Sequence, residues 1–143
     1  MISFKSLTRQ TEIGANCYLL KIGNKRILID AGMHPKEEGK KSLPDFSSIY
    51  EHDIDAAILS HAHLDHSGSM PIVQRHYPEM PVMMTEATSA LSQALLHNSV
   101  NVMTSKRNEL GLDEYPFFTH REIHKISKRW YHRRTEKKFE LDN

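Results

Sequence analysis

Three histidines and an aspartate within six consecutive positions, His61, His63, Asp65 and His66, constrain this chain more than any other feature. Neutral imidazole and carboxylate are standard ligands for zinc and similar divalent ions. The cluster follows Ala56-Ala57-Ile58-Leu59, a continuously apolar run of the kind that forms a buried strand, and precedes Ser67-Gly68. A strand therefore ends where the donors begin. Side chains two apart on an extended segment share a face, so His61 and His63 can approach one ion together. Once the chain turns, Asp65 and His66 can point to a second. Two ions roughly 3.5–4 Å apart lower the pKa of a shared water and clamp the oxygens of a displacement, which gives hydrolysis without a nucleophilic side chain. Chance accumulation of histidines in a polar loop is the competing reading, and it leaves the preceding strand and the following Ser-Gly unexplained.

The rest of the chain alternates strand and helix signals. Asn16 to Ile22 reads as a strand, Gly23-Asn24 as a hairpin turn, and Lys25 to Ile29 as its partner, ended by Asp30-Ala31-Gly32. The polar stretch from His34 to Asp45 reads as an exposed loop, with a helical turn around Phe46 to Tyr50. Pro71 suits a first helical turn, and Ile72, Val73 and Tyr77 give that helix an apolar face up to Pro78. Val82-Met83-Met84 is a short strand, and Thr85 caps a helix from about Glu86 to Ser105 whose core face is read as Ala87, Leu91, Ala94, Leu95, Val102 and Met103. Thr119-His120-Arg121-Glu122 matches a capping box, and Ile123, Ile126 and Trp130 share one face of a helix reaching about Arg134. This alternation indicates an α/β domain.

Bulk properties narrow the class. A length of 143 residues suits one domain, or part of one. Nineteen Lys and Arg against 18 Asp and Glu select no class of partner. Cys17, the single cysteine, excludes an internal disulfide and fits a reducing, cytoplasmic compartment. No basic leader followed by an apolar segment is present, and no window approaches the ~18 apolar residues of a membrane span, so no membrane association is expected.

Ser60-His61-Ala62-His63-Leu64-Asp65-His66-Ser67-Gly68 resembles the signature of the metallo-β-lactamase superfamily, and Ile27-Leu28-Ile29-Asp30-Ala31-Gly32 resembles its strand-terminal acidic motif. Within the superfamily, Gly14-Ala15-Asn16-Cys17-Tyr18-Leu19-Leu20, Ser67-Gly68-Ser69-Met70-Pro71 and Met84-Thr85-Glu86-Ala87-Thr88 resemble the β-CASP branch of RNA- and DNA-processing nucleases. The resemblance implies an α/β fold that is the N-terminal part of an αββα sandwich, with residues 1–143 forming one partial domain without a complete β-CASP insert. It implies two Zn2+ ions per complete site, held by His61 and His63 and by Asp65 and His66, the last two also acting in catalysis. Asp30 would support these ligands from behind, and RNA or DNA would be the substrate.

The family pattern continues with a His that usually follows Gly, then an Asp and another His much later. This chain has no Gly-His pair. Four ligands divided between two ions leave each short, so partial occupancy, weak zinc binding and little or no nuclease activity by this chain alone are expected. A second copy or another chain would supply the missing half of the domain. Two other functions compete: hydrolysis of a small ester, thioester or lactam on the same fold, and a non-catalytic fragment or subunit with a binding role.

Other features carry less. His120 and His124 flank Glu122 in the wrong order for a metalloprotease helix and read as a solvated face. His76, His97 and His132 read as isolated surface or packing residues, and His34 as lying outside the cleft. Residues 125–138 hold seven Lys or Arg against one Glu, with Trp130 and Tyr131 interleaved; they read as a charged outer face. No residue is assigned to nucleic-acid contact.

Overall fold

A computed structural model describes residues 1–9 and 14–141. The expected domain over 1–143 also takes in residues 10–13 and 142–143, which lie outside the described residues. Six strands form one mixed sheet in chain order: β1 (Ile2–Ser6), β2 (Tyr18–Ile22), β3 (Lys25–Ile29), β4 (Ala56–Ile58), β5 (Val82–Met84) and β6 (Trp130–His132). The first three are antiparallel neighbours; β3 through β6 are parallel. Parallel strands need crossover connections, and the helices supply them. Between β4 and β5 come α1 (Leu64–Ser67) and α2 (Met70–His76); between β5 and β6 come α3 (Glu86–Leu110) and α4 (His120–Ile126).

Register places Leu28, Ala57, Val82 and Trp130 side by side on one face, all buried. They share a core with Met70 and Val73 of α2, Leu96, Val100 and Met103 of α3, and Ile123 and Ile126 of α4. Each large apolar side chain so buried contributes about 1.5–3 kcal/mol. At the β1 edge, by contrast, Ile2, Phe4 and Ile22 are exposed, and Phe4 stacks on Tyr18 with ring centroids 5.3 Å apart.

Three elements differ from the sequence reading. First, α3 turns a shifted face inward: of the residues read as its core face Met103 is buried, but Leu91 is 60 % exposed and Val102 43 %, whereas Ser89, Ser92, Leu96, Ser99 and Val100 are buried. Three of those buried residues are serines, so hydropathy alone points to the wrong stripe. The helix also continues to Leu110, where Gly111 at φ +65° ends it with a left-handed cap. Second, the predicted capping box is present, but α4 stops at Ile126. A single 3-10 turn follows, and Trp130 begins β6 beside β5. The 3,4 spacing of Ile123, Ile126 and Trp130 fits a helix, yet the open β5 edge offers a full ladder of backbone hydrogen bonds. Trp130 also donates its indole N–H to buried Gln74 at 2.8 Å. Third, β1 is a strand: Ile2 and Phe4 alternate with Ser3 and Lys5, the two-residue period of a strand.

Candidate metal centre

The chemistry-bearing residues gather at the carboxyl ends of β3 and β4, where crossover folds place their sites. Asp30 follows β3 directly and sits at φ +60°, a left-handed conformation that Asp tolerates better than most residues. Its backbone N–H bonds to Ile58 O, locking it to the end of β4. The carboxylate, almost fully buried, accepts three hydrogen bonds: Ser60 N and Ser60 Oγ, each at 2.7 Å, and His66 Nδ1 at 2.8 Å.

These bonds set the two rings. Ser60 Oγ uses its one proton on Asp30 Oδ2, so at His61 Nδ1, 2.9 Å away, it can only accept. His61 Nδ1 therefore carries the proton, and His66 Nδ1 does so for the same reason at the carboxylate. With one proton on each ring, the lone pair is on Nε2. Histidine ligands are commonly oriented by a bond from the other ring nitrogen in this way.

The backbone holds the cluster as firmly. His63 is the cap residue of α1, so Asp65 and His66 fall within its four residues. Ala31 N bonds His66 O, Met33 N bonds Leu64 O, and Asn16 N bonds Asp65 O, all at 2.8–2.9 Å. Gly32 is the tightest point, since a Cβ there would lie 1.7 Å from Asp65 O. Asn16 Nδ2 stands 3.1 Å from Asp65 O and 3.2 Å from His66 Nε2. The ring centroids of His61 lie 5.0 Å from His63 and 4.0 Å from His66, and Asp65 Oδ2 is 3.5 Å from His66 Nε2.

Three imidazoles and a carboxylate are the donor set of zinc, and the ring tautomers present lone pairs for it. The residues fit the group in chemistry, and two of the rings, His61 and His66, are held by contacts on Nδ1. Their donor atoms are not yet converged: among the described residues, no three His, Cys, Asp or Glu side chains are gathered tightly enough to hold an ion as they stand.

Sequence reasoning missed several neighbours. His34 is buried, contrary to its reading as outside the cleft. A Cβ on Gly14 would meet its ring at 2.5 Å, and it lines a mainly apolar cavity of about 460 Å³ together with His63, Leu64 and Asp65. Glu38, Lys106 and Tyr115 stand in the wall of the same cavity. Glu38 pairs with Lys106 and accepts from the Tyr115 hydroxyl, which itself accepts from Gly39 N. Burial raises the Glu38 pKa, but the hydrogen bonds from Lys106 and Tyr115 outweigh it and hold the carboxyl below its usual range. Ser60 and Asn16 lay inside the quoted motifs without a role; their partners lie up to fifty positions away, beyond local pattern.

A family model for the metallo-beta-lactamase superfamily matches residues 11–141. Endoribonuclease YSH1 of Saccharomyces cerevisiae is 32% identical over 123 residues, 84% of this chain and 16% of that protein. Endoribonuclease YSH1 of Kluyveromyces lactis is 37% identical over 113 residues, covering 78% and 15%. The chain thus spans about one-sixth of the length of these curated relatives. Among solved structures, ST1585 from Sulfolobus tokodaii, an archaeal metallo-beta-lactamase superfamily protein, aligns with 99% of this chain and 52% of its own, at a TM-score of 0.57 and 18% identity. AidC, a dizinc quorum-quenching lactonase, aligns with 87% of this chain and 45% of its own, at a TM-score of 0.50 and 21% identity. Both likenesses concern the fold.

Proposed function

This chain belongs to the metallo-β-lactamase superfamily, and from that premise we propose that it is the metal-holding N-terminal part of a zinc-dependent nuclease of the β-CASP type, acting on phosphodiester bonds in RNA. The observation that carries the proposal is the Asp30 carboxylate, which orients His66 directly and His61 through Ser60 so that both present Nε2 lone pairs. Relatives named endoribonucleases support RNA over other substrates.

In this reading His61 and His63 would hold one ion, and Asp65 and His66 the other. Bound zinc would supply Lewis-acid polarisation of the phosphate and an activated water. The chain's own contribution is orientation: Asp30 fixes two ring planes and tautomers, and Gly32 lets the Asp65 backbone close onto Asn16. Taken by themselves, residues 1–143, read as one partial domain, offer four donors to two ions, and in this reading they bind zinc weakly and cleave RNA little. A second copy or another chain would complete the site. The buried thiol of Cys17 accords with a reducing, cytoplasmic compartment, and among the described residues no helix is long and apolar enough to cross a membrane.

The apolar cavity beside His63 and Asp65 favours a second reading, hydrolysis of a small ester, thioester or lactam. The two are separated by assaying the zinc-supplemented chain with bis(p-nitrophenyl) phosphate, an RNA oligonucleotide and a p-nitrophenyl ester. Phosphodiester turnover, however slow, that is lost in His63→Ala supports the nuclease. Ester turnover alone, lost in the same variant, supports the small-molecule hydrolase. Binding of RNA with no turnover of any substrate indicates a non-catalytic subunit.

A further inference from the structure

Far along the chain from the signature, three more imidazoles meet where α3 packs against α4. His97 lies on α3, and His120 and His124 sit one turn apart on α4, so both face the same side. His97 Nδ1 is 2.7 Å from His120 Nδ1, the two rings stack with centroids 5.0 Å apart, and the His124 ring is 4.8 Å from that of His97. Asn101, one turn beyond His97, completes the group: its side-chain carbonyl lies 3.1 Å from His120 Nε2.

That last contact assigns the protons. A carbonyl oxygen only accepts, so His120 Nε2 carries the hydrogen and its Nδ1 lone pair faces His97. Asn101 thus stands behind His120 as Asp30 stands behind His66, fixing the ring from the nitrogen that points away from the cluster. From these contacts we propose that His97, His120 and His124 form a second metal site, a three-imidazole clamp for a divalent transition ion of the zinc, nickel or copper class.

The chemistry selects that class. Imidazole suits these ions, whereas magnesium and calcium require oxygen ligands, and the contacts found among the three rings are to one another and to Asn101. Two nitrogens each about 2.0–2.1 Å from a tetrahedral ion stand about 3.3 Å apart, so the His97–His120 pair needs to open by well under an ångström. The three nitrogens do not converge as they stand. His120 and His124 are exposed and His97 only half-buried, so side-chain rotation can bring them together. Loading then moves the His97 proton from Nδ1 to Nε2, with no net change of charge on the rings. Three protein ligands leave a fourth position for water, and the bound ion would tie α4 to α3.

The test uses the whole 143-residue chain and Zn2+ as the probe. Histidine ring resonances are followed by NMR during titration, in the parent chain and in one carrying His97→Ala, His120→Ala and His124→Ala. The proposal expects the ring signals of His97, His120 and His124 to shift together at one equivalent. It also expects zinc to raise the thermal midpoint of the parent by several degrees more than that of the triple variant. His124→Ala alone should weaken this site at least tenfold. Because the signature residues remain in every variant, failure of the nuclease reading leaves these signals unaffected. Ring signals of the three that do not move with zinc, or an equal zinc-induced rise in the parent and the triple variant, would overturn the proposal.

Discussion

His66 and Asp30, thirty-six positions apart, are joined by a 2.8 Å hydrogen bond from ring Nδ1 to carboxylate Oδ2. Everything at the candidate centre is arranged around this link. Asp30 has three donors and almost no solvent, so its substitution separates charge from shape. Asp30→Asn keeps the size and the tolerance of φ +60° but loses the anion; by analogy with outer-shell partners at metal sites it should weaken zinc binding by roughly 10–100-fold with the fold retained. Asp30→Ala removes the acceptor of Ser60 and His66 at a part-buried site and should cost a further ~1–3 kcal/mol. Zinc titration followed by urea denaturation of the same samples distinguishes the two effects.

Gly32 offers a purely steric check. A Cβ at this position meets Asp65 O at 1.7 Å and Asn16 N at 2.9 Å, both backbone atoms that a rotamer change cannot move. Gly32→Ala should therefore destabilise the chain by about 3 kcal/mol, the upper part of the overpacking range, and displace Asp65. Gly23→Ala, where a Cβ meets nothing and only the left-handed φ of +57° is strained, gives the backbone cost without the clash; a shift of the urea midpoint no larger than its own would show that the Gly32 loop yields easily.

Cys17 is fully buried, and desolvation together with the negative charge of Asp30 pushes its thiol pKa far up. Since the thiolate is the reacting species, Cys17 should resist alkylation in the native chain and react at the rate of a free thiol only after unfolding. Timed labelling with iodoacetamide, with and without denaturant, measures the ratio; comparable rates would place the thiol at the surface.

His97 gives the pH dependence. Its folded-state pKa is lowered by partial burial, then by His124 and His120, while the unfolded chain titrates near the ordinary 6.5. The unfolded state therefore binds more protons in the window just below 6.5, and stability falls as pH drops through it; above that window both states are neutral and the contribution is constant. Without metal, the parent should lose more stability between pH 7.5 and 5.5 than His97→Gln does. Equal losses in the two chains would remove His97 from the account.

The parts of the site that were legible in the sequence are those whose donors are adjacent in it. His61, His63, Asp65 and His66 lie on one strand end and one short helix, so periodicity and spacing suffice to bring them together. Asp30 was reachable because a motif marks the end of β3. Asn16, Ser60 and His34 act through contacts that only the folded sheet creates, and His97, read as isolated, meets His120 and His124 only because α3 packs on α4. In the fold, the β2–β3 hairpin and the strands leading into and out of the signature follow from turn residues and apolar runs. Trp130 was misplaced for a different reason: its spacing satisfies a helix, and the choice of β6 is made by the unpaired edge of β5, a tertiary fact.

Zinc binding and RNA cleavage by the 143-residue chain test the central claim most directly. Equilibrium dialysis is carried out in the His97→Ala, His120→Ala, His124→Ala background, so that only the signature is read, with and without further alanines at His61, His63, Asp65 and His66. The account predicts weak zinc binding that disappears with the four substitutions, and RNA cleavage scarcely above a metal-matched blank. Tight, stoichiometric zinc or robust RNA cleavage by the chain with the signature intact, or zinc binding that survives those four substitutions, would contradict it.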